Sequence, residues 1–479
     1  MEPCDLAAVE ARRMIGAKQL SPVELLESCL QRIGEVDPPL TSVVATAEER
    51  ARLEAEQAEA LAASGEPLGP LHGLPLGIKD LVDVAGLRTT YGSPLYAENV
   101  PDADEGLISR LRAAGGLVFA KTNCPEWGAG GNTTNPVYGA SGNPFAPELT
   151  CGGSSGGSAV ALSTGMMPLA HGSDNAGSLR IPASFCGVVG FRPSHGLVPS
   201  ERRAMGASPF MLEGPMGRDV ADTHLMLRGL LGDDSRDYLA APIDPALHQP
   251  LAPLDLSELR VAVSEDLGFA PIEDGLRATF QARTEGLRGM FAAAQDRDPD
   301  FTEVDRTYDV LRAVAYIATW GERYKEWGEK VGPLVESNMK QALTCTAEEI
   351  GWAYAQQTRL YQAFQDFFAE HDLLLCPTMG VYPWPKEVLF PTEVNGQPMR
   401  NYFHYVAMTY GITLMGHPAI SIPCGLDDRG LPFGLQIVGP RHGDLLVLRA
   451  AKALEDVLAT RPESARPLPD LAFLRSLAV

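Results

Sequence analysis

The stretch CGGSSGGSAVALSTGMMPLAHGSDNAGSLRIPASFCG, residues 151–187, contains two clusters of glycine and serine on either side of an apolar run. In the first cluster Gly153, Ser155 and Gly157 have the G-x-S-x-G spacing that is typical of the nucleophile elbow of α/β-hydrolases. An elbow serine follows a strand directly and opens a helix. The residues before Ser155, SGNPFAPELTCGG, are instead typical of a loop. The first cluster therefore does not favour Ser155 as a nucleophile.

The second cluster offers a better setting. The apolar run MMPLAHG predicts a strand that leads into SDNAGS, and another apolar segment starts at Leu179. A serine at the junction of a strand and a helix lies beside free backbone N–H groups, which can hold the oxyanion of a tetrahedral intermediate. On this reasoning Ser178 is the preferred nucleophile.

A serine nucleophile also needs a base. The chain has nine histidines, and none stands in a distinctive sequence setting. Lys79 ends the apolar run GLPLGIKD, which predicts a buried strand. Burial disfavours the ammonium form and lowers the pKa of a lysine, so that Lys79 could accept a proton. A second interpretation stays open at this point, in which Lys79 is a structural lysine paired with Asp80.

Composition excludes several classes of function. The 479 residues carry a formal net charge of −22, which repels a phosphate backbone, so nucleic acid is not an expected partner. The eight cysteines include no C-x-x-C pair and predict buried thiols in a reducing compartment. The chain has no signal-peptide pattern, no run of about eighteen apolar residues and no clustered metal ligands. We therefore expect a cytoplasmic protein without metal, cofactor or membrane contact.

Periodicity and turn residues predict alternating helices and strands. Ser21 and Glu24 form a capping box that opens one helix, and Thr346 and Glu349 form another. Short apolar runs bounded by Gly, Asn and Pro predict strands of a covered, mixed sheet. These are the predicted segments: helices over 21–34, 46–63 and 444–458, strands within 73–80, 116–123, 166–174, 417–425 and 432–440, and a mostly helical region over 228–370.

Four long segments resemble the signature motifs of the amidase signature family. They are residues 72–93, 121–144, 152–193 and 416–440, which begin HGLPLGIKD, KTNCPEWG, GGSSGGSAV and GHPAISIPCG. The resemblance implies an α/β fold with one large α/β/α domain over residues 1–479, built around a twisted mixed sheet covered by helices. Its expected parts are N-terminal helices over 1–65, the signature core over 71–227, a variable helical insertion over 228–371 that shapes the pocket, and a C-terminal sheet with a closing helix over 372–479.

The resemblance also implies roles for individual residues. Ser178 is the expected nucleophile, Lys79 the base, and Ser154 the middle serine, with a cis peptide, that relays the proton between them. The expected supporting residues are Ser155 and the ion pair of Asp174 with Arg180, and the expected oxyanion hole is the backbone N–H groups of Asn175, Ala176, Gly177 and Ser178. The family usually has Gly-Gly before the nucleophile, and Ala176 departs from that pattern. We expect its methyl group to narrow the pocket or to restrict the backbone.

The chain lacks a motif that bears on its choice of substrate. One branch of the family supplies the glutaminase A subunit of tRNA-dependent amidotransferases and carries an R-R-x-M-L-G stretch that grips the glutamine carboxylate. Residues 333–351, PLVESNMKQALTCTAEEIG, contain no arginine. This favours a stand-alone amidase for neutral hydrophobic or aryl amides and anilides, with esters and carbamates chemically within reach. Aromatic residues expected to border the pocket are Trp127, Tyr138, Trp320 and Tyr382.

Two questions remain open from the sequence. The glycine clusters could instead form an anion-binding nest on a protein that does no chemistry. A homodimer is also left open, because nothing in the sequence decides the oligomeric state.

Overall fold

Within residues 2–478, which this computed structural model describes except for the side chain of Glu329, eleven strands form one mixed sheet. The strands are β1 (Val43–Thr46), β2 (Pro75–Lys79), β3 (Leu117–Thr122), β4 (Leu169–Asp174), β5 (Val189–Arg192), β6 (Leu212–Gly217), β7 (Arg260–Val263), β8 (Ala293–Asp296), β9 (Leu373–Pro377), β10 (Ala419–Leu426) and β11 (Pro432–Val438). Their order across the sheet is β1-β3-β2-β4-β6-β5-β10-β11-β9-β7-β8.

Helices cover both faces of this sheet. They are α1 (Ala8–Gly16), α2 (Pro22–Val36), α3 (Glu48–Ser64), α4 (Gly106–Ala113), α5 (Gly156–Ser163), α6 (Arg180–Cys186), α7 (Val220–Leu230), α8 (Asp274–Glu285), α9 (Val304–Trp327), α10 (Pro333–Thr344), α11 (Ala347–Glu370), α12 (Ala407–Met415), α13 (Asp444–Ala459) and α14 (Leu471–Leu477). Short 3₁₀ turns and three small two-stranded sheets complete the secondary structure of the described residues. The predicted α/β/α arrangement around a mixed sheet is confirmed.

Apolar residues on the two faces of the sheet belong to separate hydrophobic clusters. Leu76 and Val118 point into a core shared with α1, α4, α7 and α13. Phe119 and Ala170 point to the other side, into a core shared with α3 and α5. Because successive side chains of a strand alternate between faces, a strand covered on both sides must be apolar at every position. This is why β2 and β3 read as unbroken buried runs.

The helix boundaries follow the predicted caps. At the start of α2 the Ser21 side chain accepts the backbone N–H of Val23 and forms a capping box with Glu24. At the start of α11 the Thr346 side chain accepts the backbone N–H of Glu349, and these two residues form the second capping box. The second predicted helix ends at Gly65, whose left-handed backbone (φ +83°) a glycine adopts without strain.

The region over 228–371, predicted as mostly helical, also contributes two short strands that the sequence did not predict. It contains α8 to α11, but β7 and β8 also come from it and extend one end of the main sheet. Each of these strands has only four residues, and the last two residues of β8 are exposed. So short a segment shows too little alternation to distinguish a strand from a loop.

The topology brings two strand ends together. β2 is parallel to β4 and lies next to it, so both strands finish at the same edge of the sheet. Lys79 is the last residue of β2, and Asp174 is the last residue of β4. In α/β sheets a crevice outside the carboxyl ends of parallel strands is the usual place for a ligand.

Candidate active site

Lys79 lies fully buried at the end of β2 and contacts two serines. Its Nζ is 2.6 Å from Ser154 Oγ and 2.9 Å from Ser173 Oγ. Burial lowers the pKa of this lysine to about 8. Asp80 bonds Thr90 and pairs with Lys121 at 3.6 Å instead, so the interpretation of Lys79 as a structural partner of Asp80 is wrong.

The loop after residue 150 carries Ser154 to Lys79. The peptide bond between Gly153 and Ser154 is cis, as the family resemblance implied. Ser155 occupies the N-cap position of α5, so it follows a loop, not a strand. Its hydroxyl donates to Ser173 O at 3.3 Å and accepts the Ser173 N–H at 3.2 Å. These contacts tie the loop to the end of β4 and are those expected of a supporting residue.

Ser178 lies in the turn between β4 and α6, at the strand-to-helix junction that the sequence predicted. Its carbonyl accepts the Ser155 N–H at 3.2 Å, which joins the two glycine–serine clusters. Its side chain lines the same cleft as Ser154, and its hydroxyl has no hydrogen-bond partner among residues 2–478. The Ser178 hydroxyl therefore faces the cleft and is free to meet a ligand.

The Asp174 carboxylate fixes this turn through hydrogen bonds and ion pairs. Its carboxylate accepts the backbone N–H of Gly177 at 2.8 Å and pairs with Arg180 and Arg192, each at 3.1 Å. All three charged side chains are fully buried. Burial alone raises the pKa of Asp174, but the two guanidinium groups more than offset it and lower this pKa to about 2. Asp174 is therefore ionised throughout the neutral pH range.

This arrangement corrects the predicted oxyanion hole at one position. The Gly177 N–H is already donated to Asp174, because the carboxylate folds over the turn and accepts it. The backbone N–H groups of Asn175, Ala176 and Ser178 have no partner within the described residues, so three of the four predicted donors are free. Gly177 is required for another reason, since at φ +118° a Cβ there would lie 2.3 Å from Thr409 Oγ1.

Ala176 does not have the effect expected of it. Its methyl group packs against the hydrophobic cluster around α9 and α12, and Ala176 is not among the residues that line the cleft. Its φ is not positive, so the backbone accepts a side chain there. The expected narrowing of the pocket is therefore wrong.

The cleft above the serines has a volume of about 620 Å³ and is partly aromatic. Trp127 and Trp320 line it as predicted and stack with their ring centroids 4.6 Å apart. Tyr138 and Tyr382 do not line it, and their prediction as pocket residues is wrong. The Tyr138 ring lies under the Arg88 guanidinium. The Tyr382 ring packs in a separate core, and its hydroxyl donates to Asp428. Tyr316, which the sequence reasoning did not single out, lines the cleft as well.

Charged residues at the cleft were only partly anticipated. Three arginines line it, although the sequence suggested no arginine clamp. Arg202 pairs with Asp83 and Glu105, and Arg203 pairs with Asp237. Arg323 is exposed and lies over the rings of Tyr96 and Trp320. Glu105 and Glu213 also line the cleft, so the arginines do not create an excess of positive charge there.

No histidine contacts the serines of this site within residues 2–478. His171, on β4, is the histidine nearest to them along the chain, and its Nε2 lies 2.9 Å from Glu213 Oε2. The described residues also contain no cluster of three or more side chains that could hold a metal ion. None of the described helices is long and apolar enough to cross a membrane. Lys79 is therefore the basic side chain that contacts serine hydroxyls at this site.

The protein-family comparison matches residues 24–448 to the family described as Amidase. The chain belongs to the amidase signature family. An acylamidase from Rhodococcus erythropolis is 33% identical over 458 residues, which cover 94% of this chain and 95% of that protein. The A subunit of the glutamyl-tRNA(Gln) amidotransferase from Thermosynechococcus vestitus is 32% identical over 93% of this chain and 96% of its own.

A solved structure gives the same result. A bacterial aryl acylamidase of the amidase signature family superposes with a TM-score of 0.88 at 27% identity, covering 99% of this chain and 98% of its own. The chain is therefore an amidase, a hydrolytic enzyme that acts on amides. A non-catalytic nest that only binds an anion does not account for this family membership.

Sequence reasoning missed two residues of this amidase site. Ser173 Oγ accepts a hydrogen bond from Lys79 Nζ. The sequence could have indicated this residue, because Ser173 directly precedes Asp174 in the predicted strand and side-chain alternation turns it to the opposite face from Asp174. Arg192 contacts Asp174 from β5, across β6 from β4. Its signal is weak, since a lone arginine at a strand end is ordinarily exposed.

The Asp174 cluster generates a prediction for the stability of the amidase. Asp174→Asn leaves Arg180 and Arg192 buried without a counter-charge, which is expected to lower the free energy of unfolding by about 3–5 kcal/mol. Asp372→Asn is the matched control, because Asp372 pairs with Arg260 at the surface, where the loss is expected to be about 1 kcal/mol or less. Urea unfolding at pH 7 measures both variants. Equal losses would show that the buried cluster does not support the fold.

Proposed function

We propose that this amidase hydrolyses neutral amides carrying an aromatic or other hydrophobic group, through an acyl-enzyme on Ser178. In this proposal Lys79 is the base and Ser154 passes the proton between Lys79 and Ser178. The observation that carries the proposal is the buried 2.6 Å contact between Lys79 Nζ and Ser154 Oγ, at the base of a cleft that the free Ser178 hydroxyl also lines.

The first step is attack on the amide carbonyl. Neutral Lys79 accepts the proton of Ser154, and Ser154 accepts the proton of Ser178 as the Ser178 oxygen forms a bond to the carbonyl carbon. The backbone N–H groups of Asn175, Ala176 and Ser178 donate to the developing oxyanion. Such donors act best when they are held in place before the reaction, and the Asp174 carboxylate fixes this turn through Gly177.

The second step breaks the carbon–nitrogen bond. An amide anion is a poor leaving group, so the nitrogen must receive a proton as the bond breaks. The proton held by Lys79 returns through Ser154 to that nitrogen, and the free amine leaves. Water then attacks the Ser178 ester by the same proton path, releases the carboxylic acid and restores the enzyme. Esters and carbamates fit this scheme because they form the same kind of acyl-enzyme.

The substrate class is inferred from the cleft and from relatives. The stacked Trp127 and Trp320 rings offer a flat apolar surface, and an aromatic group of the substrate gains from contact with such rings. The names of an acylamidase and an aryl acylamidase among the relatives agree with this class.

The second candidate function is that of an amidotransferase A subunit, because a relative of that name matches this chain over 96% of its own length. A glutaminase has to hold the free carboxylate of glutamine. Of the three arginines that line the cleft, Arg202 and Arg203 are paired with carboxylates, and Arg323 is exposed and lies over aromatic rings. Helix α10 contains no arginine. The stand-alone amidase is therefore the preferred proposal, and kinetics can decide between the two.

Alanine variants test the three proposed catalytic residues. On a neutral anilide such as 4′-nitroacetanilide, Ser178→Ala is expected to lower kcat by on the order of 10⁴-fold or more, because the nucleophile is lost. Ser154→Ala is expected to cost more than Ser155→Ala, since only the first breaks the proton path. Release of 4-nitroaniline measures each rate.

The matched control is Ser163→Ala on the neighbouring helix α5. The Ser163 hydroxyl is buried without a partner, so its removal is expected to leave kcat within twofold. Near-normal turnover in Ser178→Ala would refute the assignment of the nucleophile. A larger loss in Ser155→Ala than in Ser154→Ala would favour the elbow interpretation.

The lowered pKa of Lys79 predicts the pH profile. Lys79 must be neutral to accept a proton, so kcat/KM is expected to rise about tenfold per pH unit below a pKa of about 8 and to level off above it. Initial rates between pH 5.5 and 10, corrected for uncatalysed hydrolysis, give the profile. Lys79→Arg, whose side chain stays protonated, should lose the activity throughout this range. A flat wild-type profile from pH 6 to 9 is incompatible with a lysine base.

A matched substrate pair separates the two candidate functions. The 4-nitroanilides of butyric acid and of succinic acid have acyl chains of equal length, and only the second carries a carboxylate. We expect kcat/KM for the neutral anilide to be at least about tenfold higher, because the cleft offers the carboxylate no unpaired buried cation. Free glutamine is expected to be a poor substrate. A preference for the succinyl anilide or for glutamine would favour the amidotransferase subunit.

A further inference from the structure

A second cavity lies away from the active-site cleft and shares no residue with it. It has a volume of about 500 Å³, is open to solvent on one side, and is lined by residues of α1, α7 and α13, residues 68–70 and the segment at 250–251. Apolar side chains make up much of its wall, including Val9, Leu68, Leu225 and Leu251. Two arginines, Arg12 and Arg228, also line it. The volume falls within the range of about 300–1,000 Å³ that is usual for small-molecule sites.

Arg228 has no partner in this cavity. It lies in the last turn of α7, and its guanidinium makes no hydrogen bond or ion pair within residues 2–478. Its Nε is buried and unsatisfied. Burial lowers the pKa of Arg228, but an arginine keeps its charge in a protein. Arg228 as a whole is half-buried, so its guanidinium has lost part of its hydration without gaining a counter-charge, and a bound anion would relieve that free-energy cost.

Arg12 adds a second positive charge beside it. Arg12 donates to the carbonyl oxygens of Gly69, at 2.9 Å, and Leu68, at 3.3 Å, which holds the side chain in place without neutralising it. Burial and the nearby charge of Arg228 lower the pKa of Arg12. Two like charges are therefore held close together at the cavity, although the chain as a whole has a net charge of −22.

The other ionisable groups that line the cavity do not change this balance. Arg13 pairs with Glu10 on the exposed side of α1, and Lys452 pairs with Glu455 and Asp456. His224 contacts the Leu247 carbonyl oxygen, and burial lowers its pKa to about 4, so it is neutral at pH 7. Arg12 and Arg228 thus remain the charges without a counter-ion among the residues that line the cavity.

We propose that this cavity binds an organic carboxylate with an apolar chain, which places its carboxylate between Arg12 and Arg228 and its chain against Leu225 and Leu251. A planar guanidinium matches the two oxygens of a carboxylate, whereas the apolar wall offers nothing to an inorganic anion. A carboxylic acid is one of the two products of amide hydrolysis, so the reaction itself generates ligands of this chemical class.

Calorimetric titration of the whole protein with octanoate tests the proposal. Octanoate is expected to bind, and 1-octanol and octylammonium, which have the same chain, at least about tenfold more weakly, because only octanoate presents an anion to the two arginines. Arg228→Gln and Arg12→Gln should each raise the Kd for octanoate at least about tenfold. Arg236→Gln is the matched control, since it removes the same charge from a side chain that is 68% exposed and paired with Asp234. Its Kd should stay within twofold of the wild-type value.

A second variant tests the cavity without changing a charge. Ala221 lies on α7 and lines the cavity, so Ala221→Phe should fill part of it and weaken octanoate binding while both arginines remain. This variant also keeps the test informative if an arginine variant fails to fold. Octanoate could also enter the catalytic cleft as a product, and that binding would be insensitive to all three cavity variants. Unchanged octanoate affinity in Arg228→Gln and Ala221→Phe, or equal affinity for 1-octanol, would overturn the proposal.

Discussion

The rest of the site depends on the burial of the Lys79 side chain beside serine hydroxyls. Water around an ammonium group stabilises its charge, and a lysine in water would be protonated at neutral pH. Lys79 is withheld from water because β2 lies inside the sheet between β3 and β4 and is covered on both faces. The hydroxyls of Ser154 and Ser173 supply the polar contacts that Nζ would otherwise lose. The same burial that lowers its pKa therefore also fixes it against a serine.

A buried lysine is of use only if the serines are held in place, and the Asp174 cluster fixes the turn that carries Ser178. The carboxylate joins β4, the turn before α6 and Arg192 of β5 through hydrogen bonds. Arg180 in turn bonds Gln436 of β11 and Thr413 of α12. Ser178 sits in a turn whose position is thus determined by distant parts of the chain. The main effect of these buried ion pairs is to fix the position of the turn, because the attraction between buried charges is largely offset by the cost of removing them from water.

The sequence predicted the features that depend on local pattern. The two capping boxes, the buried strands and the junction that carries Ser178 all follow from short-range rules on caps, alternation and strand length. The strands β7 and β8 were missed because four residues carry too little pattern. Tyr138 and Tyr382 were misplaced because tertiary packing decides which residues line a pocket, and an aromatic residue close to a site motif in sequence can equally pack into a core.

The oxyanion donors show the same limit on a finer scale. The residues of the turn were predicted together, but which N–H groups stay free depends on where the Asp174 carboxylate folds, and sequence spacing does not fix that. Gly177 is not a free donor for this reason.

The covalent reactivity of Ser178 is the central claim, and labelling tests it most directly. After treatment with phenylmethanesulfonyl fluoride, peptide mass spectrometry should find a single adduct on Ser178. An adduct on Ser155, or an unlabelled enzyme that still hydrolyses anilides, would contradict the account.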